Sequence, residues 1–332
     1  MPTSSGENRR VTAAMVAERA GTSIATVSLV VNGKDRGRVS VPIATRVRDA
    51  VEELGYVVDH AASTLARGSG DLVVLIAPDL SNPFFAEVIR GVRDTIGDRF
   101  QLVLSVTERG EQPVDADVRR FERLRPAGIL VDAPAAGASM RASVPVVLLD
   151  APGGLGAVNY DLSPGVDALV GHLRTAGHRR VAYLDGTSRA ATFAVRRTLF
   201  EEACTAAGIA VSERGASADL SIEAAATTVS AVLDAWLASG VTAVVAAADT
   251  LAYGVLRAAA ERGIPVPEAL AVAGFDDLPS SSVTAPALTS VALPGAELGR
   301  AAALRLLATL DGTEAPAPSL PTRLVPRAST GA

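Results

Sequence analysis

Between Thr12 and Tyr56 the apolar residues recur at helical spacing in three short blocks: Met15, Val16 and Ala20; Ile24, Val27 and Val31; Val47, Val51 and Leu54. This is the period of helices that each bury one face. Thr12, Ser23 and Ser40 stand where N-caps belong, and Gly33 and Gly55 where helices stop. The pattern predicts a three-helix unit, preceded by a polar leader over residues 1–10. After Gly68-Ser69-Gly70 the period changes. Apolar, β-branched runs predict strands at 72–77, 100–106, 128–132, 146–150, 180–185, 243–248 and 270–275, and amphipathic segments predict helices at 84–96, 165–176, 195–207, 222–239 and 251–262. Strand-helix alternation of this kind predicts an α/β core of doubly wound parallel sheets with helices on both faces. The elements are too many for one small sheet, so two similar lobes are expected. Ligands of such folds bind beyond the carboxyl ends of the strands.

Composition narrows the class. At 332 residues, 48% hydrophobic and 20% charged, the chain is long enough to bury large cores in more than one folded unit. The single cysteine, Cys204, excludes an intramolecular disulfide, and no apolar core follows a charged start as in a secretory signal. The apolar runs fall far short of the roughly 20 residues of a membrane span. A cytoplasmic protein without a membrane partner is expected. The net charge of −5 divides unevenly: residues 1–70 hold nine Lys or Arg against seven Asp or Glu, the remainder 22 against 29. A slightly basic head on an acidic body favours nucleic acid as the head's partner, though weakly. Catalytic signatures are lacking. Gly153-Gly154-Leu155-Gly156 is too compact for a dinucleotide fingerprint, no phosphate-binding Gly-x-x-x-x-Gly-Lys-Ser/Thr occurs, and His60, His172 and His178 form no metal-ligand pattern. Neither an enzyme nor a cofactor is expected.

Ala17 lies four residues before Gly21, and the first two helical blocks meet at Gly21-Thr22. A helix-turn-helix needs a small residue at the helix crossing and a residue tolerant of an unusual backbone angle in the turn. A second helix starting at Ser23 turns Ile24, Ala25, Ser28 and Leu29 outward and Val27, Val30 and Val31 inward. The hydroxyls of Thr22, Ser23, Thr26 and Ser28 are then placed to contact phosphates at the helix start. Residues Val11-Thr12, Val16-Ala17-Glu18-Arg19-Ala20-Gly21-Thr22-Ser23, Thr26-Val27-Ser28, Val30-Val31-Asn32-Gly33 and Glu52-Glu53-Leu54-Gly55-Tyr56 are similar to the DNA-binding signature of the lactose-repressor (LacI/GalR) family. The resemblance implies a recognition helix over Ser23 to Asn32 in the major groove of a pseudopalindromic operator. Its DNA-facing set is Thr12, Thr22, Ser23, Ile24, Ala25, Thr26, Ser28, Leu29 and Asn32. It also implies a hinge helix from His60 to Arg67, in which His60, Ala62 and Leu65 meet the minor groove and Leu65 acts as a wedge. Leu29 stands where the lactose repressor has an arginine, Asp59 replaces an asparagine, Ser63 replaces a polar or basic residue, and the loop 34–39 is about two residues longer than usual. A leucine cannot bond guanine in two places, so apolar contact with thymine methyls is expected there.

In the core, Asp79-Leu80-Ser81-Asn82-Pro83-Phe84-Phe85 follows the first strand, Asp150 ends Pro145-Val146-Val147-Leu148-Leu149-Asp150, and Asp276 ends Gly274-Phe275-Asp276. An amide, an aromatic ring and carboxylates at strand ends suit a small hydroxylated ligand. The same family resemblance implies a sugar-like effector held by Asn82, Phe84, Asp150, Asp276 and Arg196, with Asp161 and Thr192 in neighbouring loops. Arg197 is the alternative to Arg196, Phe84 and Phe85 are equally readable as helix core, and Tyr160 and Phe193 as lining or packing. Ala151 and Ala248 stand where the family has polar groups, so the site is expected to prefer a less hydroxylated ligand or to bind an ordinary sugar weakly. The expected division is 1–10 leader, 11–58 helix-turn-helix, 59–70 hinge and linker, 71–161 with 293–322 one lobe, and 162–292 with 323–330 the other. No leucine-heptad tail follows Arg327, so a homodimer is expected. A solute-binding protein is the competing reading of the core, opposed by the helical head.

Overall fold

The computed structural model describes residues 11–331 apart from 32, 57–69, 79–81, 108–110, 136, 138, 188–189 and 317. The expectations for Asn32, His60, Ala62 and Leu65 therefore lie outside the described residues. The chain divides after Gly70 into two compact units.

The first unit holds α1 (Ala13–Ala20), α2 (Ile24–Val31) and α3 (Val41–Leu54). Thr12 caps α1 by accepting a hydrogen bond from the Met15 amide at 3.4 Å, and Gly21 ends it at φ 63°, a left-handed conformation open to glycine without strain. Ser23 caps α2 through the Thr26 amide at 3.2 Å. Ser40 occupies the N-cap of α3 without a side-chain bond, where Pro42 tolerates the first turn because its missing N–H has no helical partner there. Val16, Val27 and Val47 are fully buried where the helices meet, and Val31 packs half-buried at the edge of this core.

The second unit is built on two larger sheets. The first runs β2 (Gln101–Val106), β1 (Leu72–Ala77), β3 (Gly128–Asp132), β4 (Val146–Leu149), all parallel. Its side chains alternate as the pleat dictates. Val73, Leu75 and Leu130 pack with Val88 and Val92 of α4 (Phe84–Ile96), while Val74, Ile76 and Ile129 pack with Val118 of α5 (Asp115–Glu122). The second sheet runs β13 (Arg323–Val325), β11 (Thr289–Ala292), β10 (Ala271–Asp276), β9 (Ala243–Ala246), β6 (Arg180–Gly186), β7 (Ala210–Val211), with β8 (Ala216–Ala218) also on β6. Only β13 is antiparallel among these pairs. Helices α6 (Ser163–Thr175), α7 (Ala191–Ala207), α8 (Ile222–Ala238) and α9 (Asp249–Glu261) supply its packing partners. Between the two sheets β5 (Asn159–Asp161) pairs in parallel with β12 (Ser319–Pro321). There the buried Thr322 hydroxyl donates to the Asp161 carbonyl at 2.9 Å and accepts from the Gly165 amide at 3.2 Å. Among the described residues no single helix is long and apolar enough to cross a membrane.

The strands and helices predicted from the apolar pattern are present with small shifts at their ends, the largest at α7, which begins at Ala191. The pattern does not announce α10 (Gly295–Leu310), because its buried face is made largely of Gly299, Ala301, Ala302 and Ala303. Those small residues serve a close approach: a Cβ on Gly299 would stand 2.1 Å from the Val88 carbonyl oxygen of α4, and one on Gly91 of α4 would stand 2.0 Å from that of Ala296. The two backbones touch where they cross, and α10 thereby returns the late chain to the first sheet. Gly299→Ala is expected to destabilise the core by about 1–3 kcal/mol through forced separation of α4 and α10. Urea unfolding checks this, and an unchanged midpoint would refute the tight crossing.

Candidate functional site

The head offers an exposed helix start, and the core a cavity at its strand ends. In the head the chain turns through 101° between α1 and α2, the geometry of a helix-turn-helix. Val27 and Val30 are buried beneath α2, while Ser23, Ile24, Ala25 and Ser28 at its start are exposed and Thr22 and Thr26 half-buried. Ile24 leaves 54% of its surface in solvent, a large apolar side chain turned outward beside the hydroxyl pair Ser23 and Thr26, which bond each other at 2.9 Å. Leu29, expected outward, is half-buried, because its position on the helix lies at the margin of the core. Thr12 is exposed but its oxygen serves the cap of α1. Arg19 and Glu53 bridge α1 and α3 at 2.6 Å.

In the core a cavity of about 720 Å³ opens at the carboxyl ends of strands from both larger sheets. Asp132 reaches it from the end of β3, Asp150 from just past β4, Asp276 from the end of β10, and Thr192, Phe193 and Arg196 from the start of α7. Asp150 and Asp276 hold left-handed backbone angles, φ 45° and 107°, which non-glycine residues adopt at a cost of about 1–3 kcal/mol each and which turn both side chains inward. Arg196 is 4% exposed. One of its terminal nitrogens donates to the Ala247 carbonyl at 2.7 Å and to Asp276 at 3.2 Å, and its guanidinium lies 5.3 Å from the ring centre of Phe193 and 5.4 Å from that of Phe275. Arg197 points out to Asp185 at 3.1 Å, so of the two arginines Arg196 lines the cavity.

Burial dominates the electrostatics. It pushes Asp276 up to about 6 against the pull of Arg196, raises Asp150 against Arg196 and Thr192, and raises Asp132 well above the carboxylate range with further help from the Asp150 charge. Thr192 lies close enough to act on Asp150, yet its hydroxyl forms no hydrogen bond of regular geometry. Asp132 Oδ1, Thr192 Oγ1 and Arg196 Nε are buried without a partner and belong to residues lining the cavity. Buried polar atoms are nearly always paired, and three orphans in one cavity mark a place for a polar ligand.

The other candidates fall on both sides of the wall. Asn82 and Phe84 line the cavity, but Asn82 Oδ1 accepts from the Phe84 amide at 3.0 Å and so also caps α4. The Phe84 ring meets Phe85 and Tyr160 edge-on, at 5.7 and 6.4 Å between centroids. Phe85 is largely buried yet borders the cavity, and Phe193 lines it. Asp161 is not among the residues lining the cavity: its Oδ1 accepts from the Ser163 amide at 3.1 Å at the start of α6. Ala248 lines the wall, whereas Asp249 after it turns away, accepting from the Leu278 amide at 2.9 Å, Ser281 at 2.5 Å and Ser290 at 2.6 Å. Sequence reasoning missed Asp132, although it ends a predicted strand, the position that singled out Asp150 and Asp276.

The comparisons with known proteins agree with this geometry. A model of the bacterial regulatory proteins, lacI family, matches residues 12–59, and one of the periplasmic binding protein-like domain matches residues 170–330. HTH-type transcriptional regulator GntR of Pseudomonas aeruginosa is 32% identical over 315 residues, 90% of this chain and 89% of that protein. The chain belongs to the LacI family of transcriptional regulators. Within the LacI family it is also similar to HTH-type transcriptional repressor CytR of Escherichia coli, 30% identical over 308 residues and covering 90% of this chain and 89% of that one. Among solved structures it resembles the lac repressor dimer bound to operator and the anti-inducer ONPF, at TM-score 0.79, 25% identity and coverage of 98% and 100%. It resembles a transcriptional regulator CelR–cellobiose complex at TM-score 0.69, 28% identity and coverage of 96% and 100%. The LacI family places the first unit as a DNA-binding domain and gives α1 and α2 their name as its helix-turn-helix.

Asp249 yields a pH prediction for this LacI-family core. Burial pushes it up to about 7 despite three donors, above the roughly 4 of an unfolded carboxyl. Its contribution to stability is therefore full below about pH 4 and is lost as pH rises through 7. The melting temperature is expected to fall more steeply from about pH 5 to 8 in the native protein than in Asp249→Asn, measured by thermal denaturation. Parallel curves would mean that Asp249 stays ionised throughout.

Proposed function

We propose that this regulator is a repressor that grips a pseudopalindromic operator as a homodimer and releases it when a small, sugar-like effector fills the core cavity. The single observation that carries the reading is the set of unpartnered buried polar atoms from Asp132, Thr192 and Arg196, which face one cavity at the strand ends of both larger sheets. The named complexes of the similar proteins, an operator with an anti-inducer and a cellobiose, support the same division of labour. The chain reads as 11–58 for DNA, 59–70 for the hinge, and two lobes of 71–161 with 293–322 and 162–292 with 323–330. It acts in the cytoplasm by binding, not catalysis. The start of α2 enters the major groove, where Thr22, Ser23, Thr26 and Ser28 set register on phosphates and Ile24, Ala25 and Leu29 lie against base edges. Effector held by Asn82, Phe84, Asp150, Thr192, Arg196 and Asp276 shifts the two lobes and with them the hinge.

Footprinting on DNA flanking the protein's own gene, with and without sugars, tests the proposal. Sequence-specific protection lost on adding one ligand is expected, and no protection at low salt would overturn it. Ile24→Ala is expected to weaken specific binding about tenfold while leaving the salt dependence unchanged, since that slope counts phosphate contacts. A shallower slope would give Ile24 a backbone-positioning role instead.

A further inference from the structure

We propose that the ligand of this cavity is an amino sugar or similar aminated polyol, its protonated amine seated between Asp132 and Asp150. The inference rests on reading the cavity as the effector site and adds the chemical class of the effector. Of the described residues lining the cavity, Glu111, Asp132, Asp150, Asp219 and Asp276 are acidic and Arg196 alone is basic. Glu111 and Asp219 are exposed, where their charge draws cations toward the opening. The inner three are each 7% exposed or less. Arg196 does not serve all of them: among the described residues its ion pair is with Asp276, and it also bonds the Ala247 carbonyl. Asp132 has Oδ1 unpartnered, and Asp150 follows Leu149, the residue paired with Asp132 across β3 and β4, and acts on it as a like charge. Burial disfavours the ionised form of both carboxyls, and Arg196, which draws Asp150 down, is already paired with Asp276; a cation placed between Asp132 and Asp150 favours the ionised form of both.

The chemistry of that cation follows from the rest of the wall. An ammonium group carries three donors, enough to bond both carboxylates at once. Neutral hydroxyls also donate to carboxylates, but they leave the charge standing. Thr192 Oγ1 and Arg196 Nε are free to bond ring or hydroxyl oxygens, and Phe84 and Phe193 offer apolar faces to a sugar ring. Asp132 thus supplies the polarity that Ala151 and Ala248 lack, and supplies it as charge. On this proposal the site selects for an amine.

The test is calorimetric titration of the full-length protein at neutral pH with glucosamine, galactosamine and mannosamine, each against its parent hexose and its N-acetyl derivative. At least one amine is expected to bind ten or more times as tightly as both neutral partners. Asp132→Asn, close in shape but uncharged, is expected to cancel that preference while raising the melting temperature of the ligand-free protein. A residue of merely structural importance would lower both. Neutral partners that bind as well as or better than every amine, amines that do not bind, or a melting temperature that falls in Asp132→Asn would each overturn the amine assignment. Neutral hexoses that release operator would leave the effector-site reading standing while the amine assignment fails. Amines that bind without altering operator affinity would overturn the effector-site reading and leave the amine site standing.

Discussion

One guanidinium, fully enclosed, sets the terms for the core. Arg196 sits on the first turns of α7, sandwiched between the rings of Phe193 and Phe275 and tied to the Ala247 carbonyl and Asp276. A charge so far from water is tolerated only with fixed partners. Those partners belong to β10, the loop after β9 and α7 itself, so the arginine holds the strand ends of the second sheet in register around the cavity. Asp150 is the exception, coming from the first sheet and reaching toward the same cation across the opening. The carboxylates from the two sheets thus compete for one positive charge. A ligand that changes this balance acts on both sheets at once, which is the physical content of a signal leaving the cavity.

The sequence announced its architecture through period, and failed where period carries little information. Continuous apolar runs such as Leu72–Ala77 and amphipathic runs such as Phe84–Ile96 have the bounds expected of them, because burial of two faces or one face writes directly into residue order. The face of α10 is written instead in glycine and alanine, where close contact matters more than apolar bulk. The two- and three-residue strands β5, β7, β8, β12 and β13 are too short to show any period. In the site, Arg196 was readable by position, whereas the choice between it and Arg197 needed the helix to be built. Asp161 has the right residue type in the right loop and is spent on a local bond to the Ser163 amide. Asp132 lies at a strand end like the others, but its importance comes from what is missing around it, and missing partners leave no trace in one dimension.

In the head the same logic runs outward. Helix α2 carries no charged residue, so its exposed start meets solvent with Ile24, Ala25 and a row of hydroxyls. Such a surface gains little from long-range attraction and depends on fit, with apolar side chains discriminating by shape and methyl contact. The family resemblance locates the helix-turn-helix, while the residues at its tip set how it discriminates.

The crossing of α4 and α10 has a temporal consequence. Strands β1 to β4 are complete once residue 149 is made, but α10, which shields the face bearing Leu130, ends at Leu310. During synthesis the first sheet leaves the ribosome with that face only partly covered by α4, and every strand of the second sheet except β13 is made before the cover arrives. Nascent chains of this protein thus pass through a long interval with an apolar sheet face open to water, the condition under which chaperones are recruited and aggregation competes with folding.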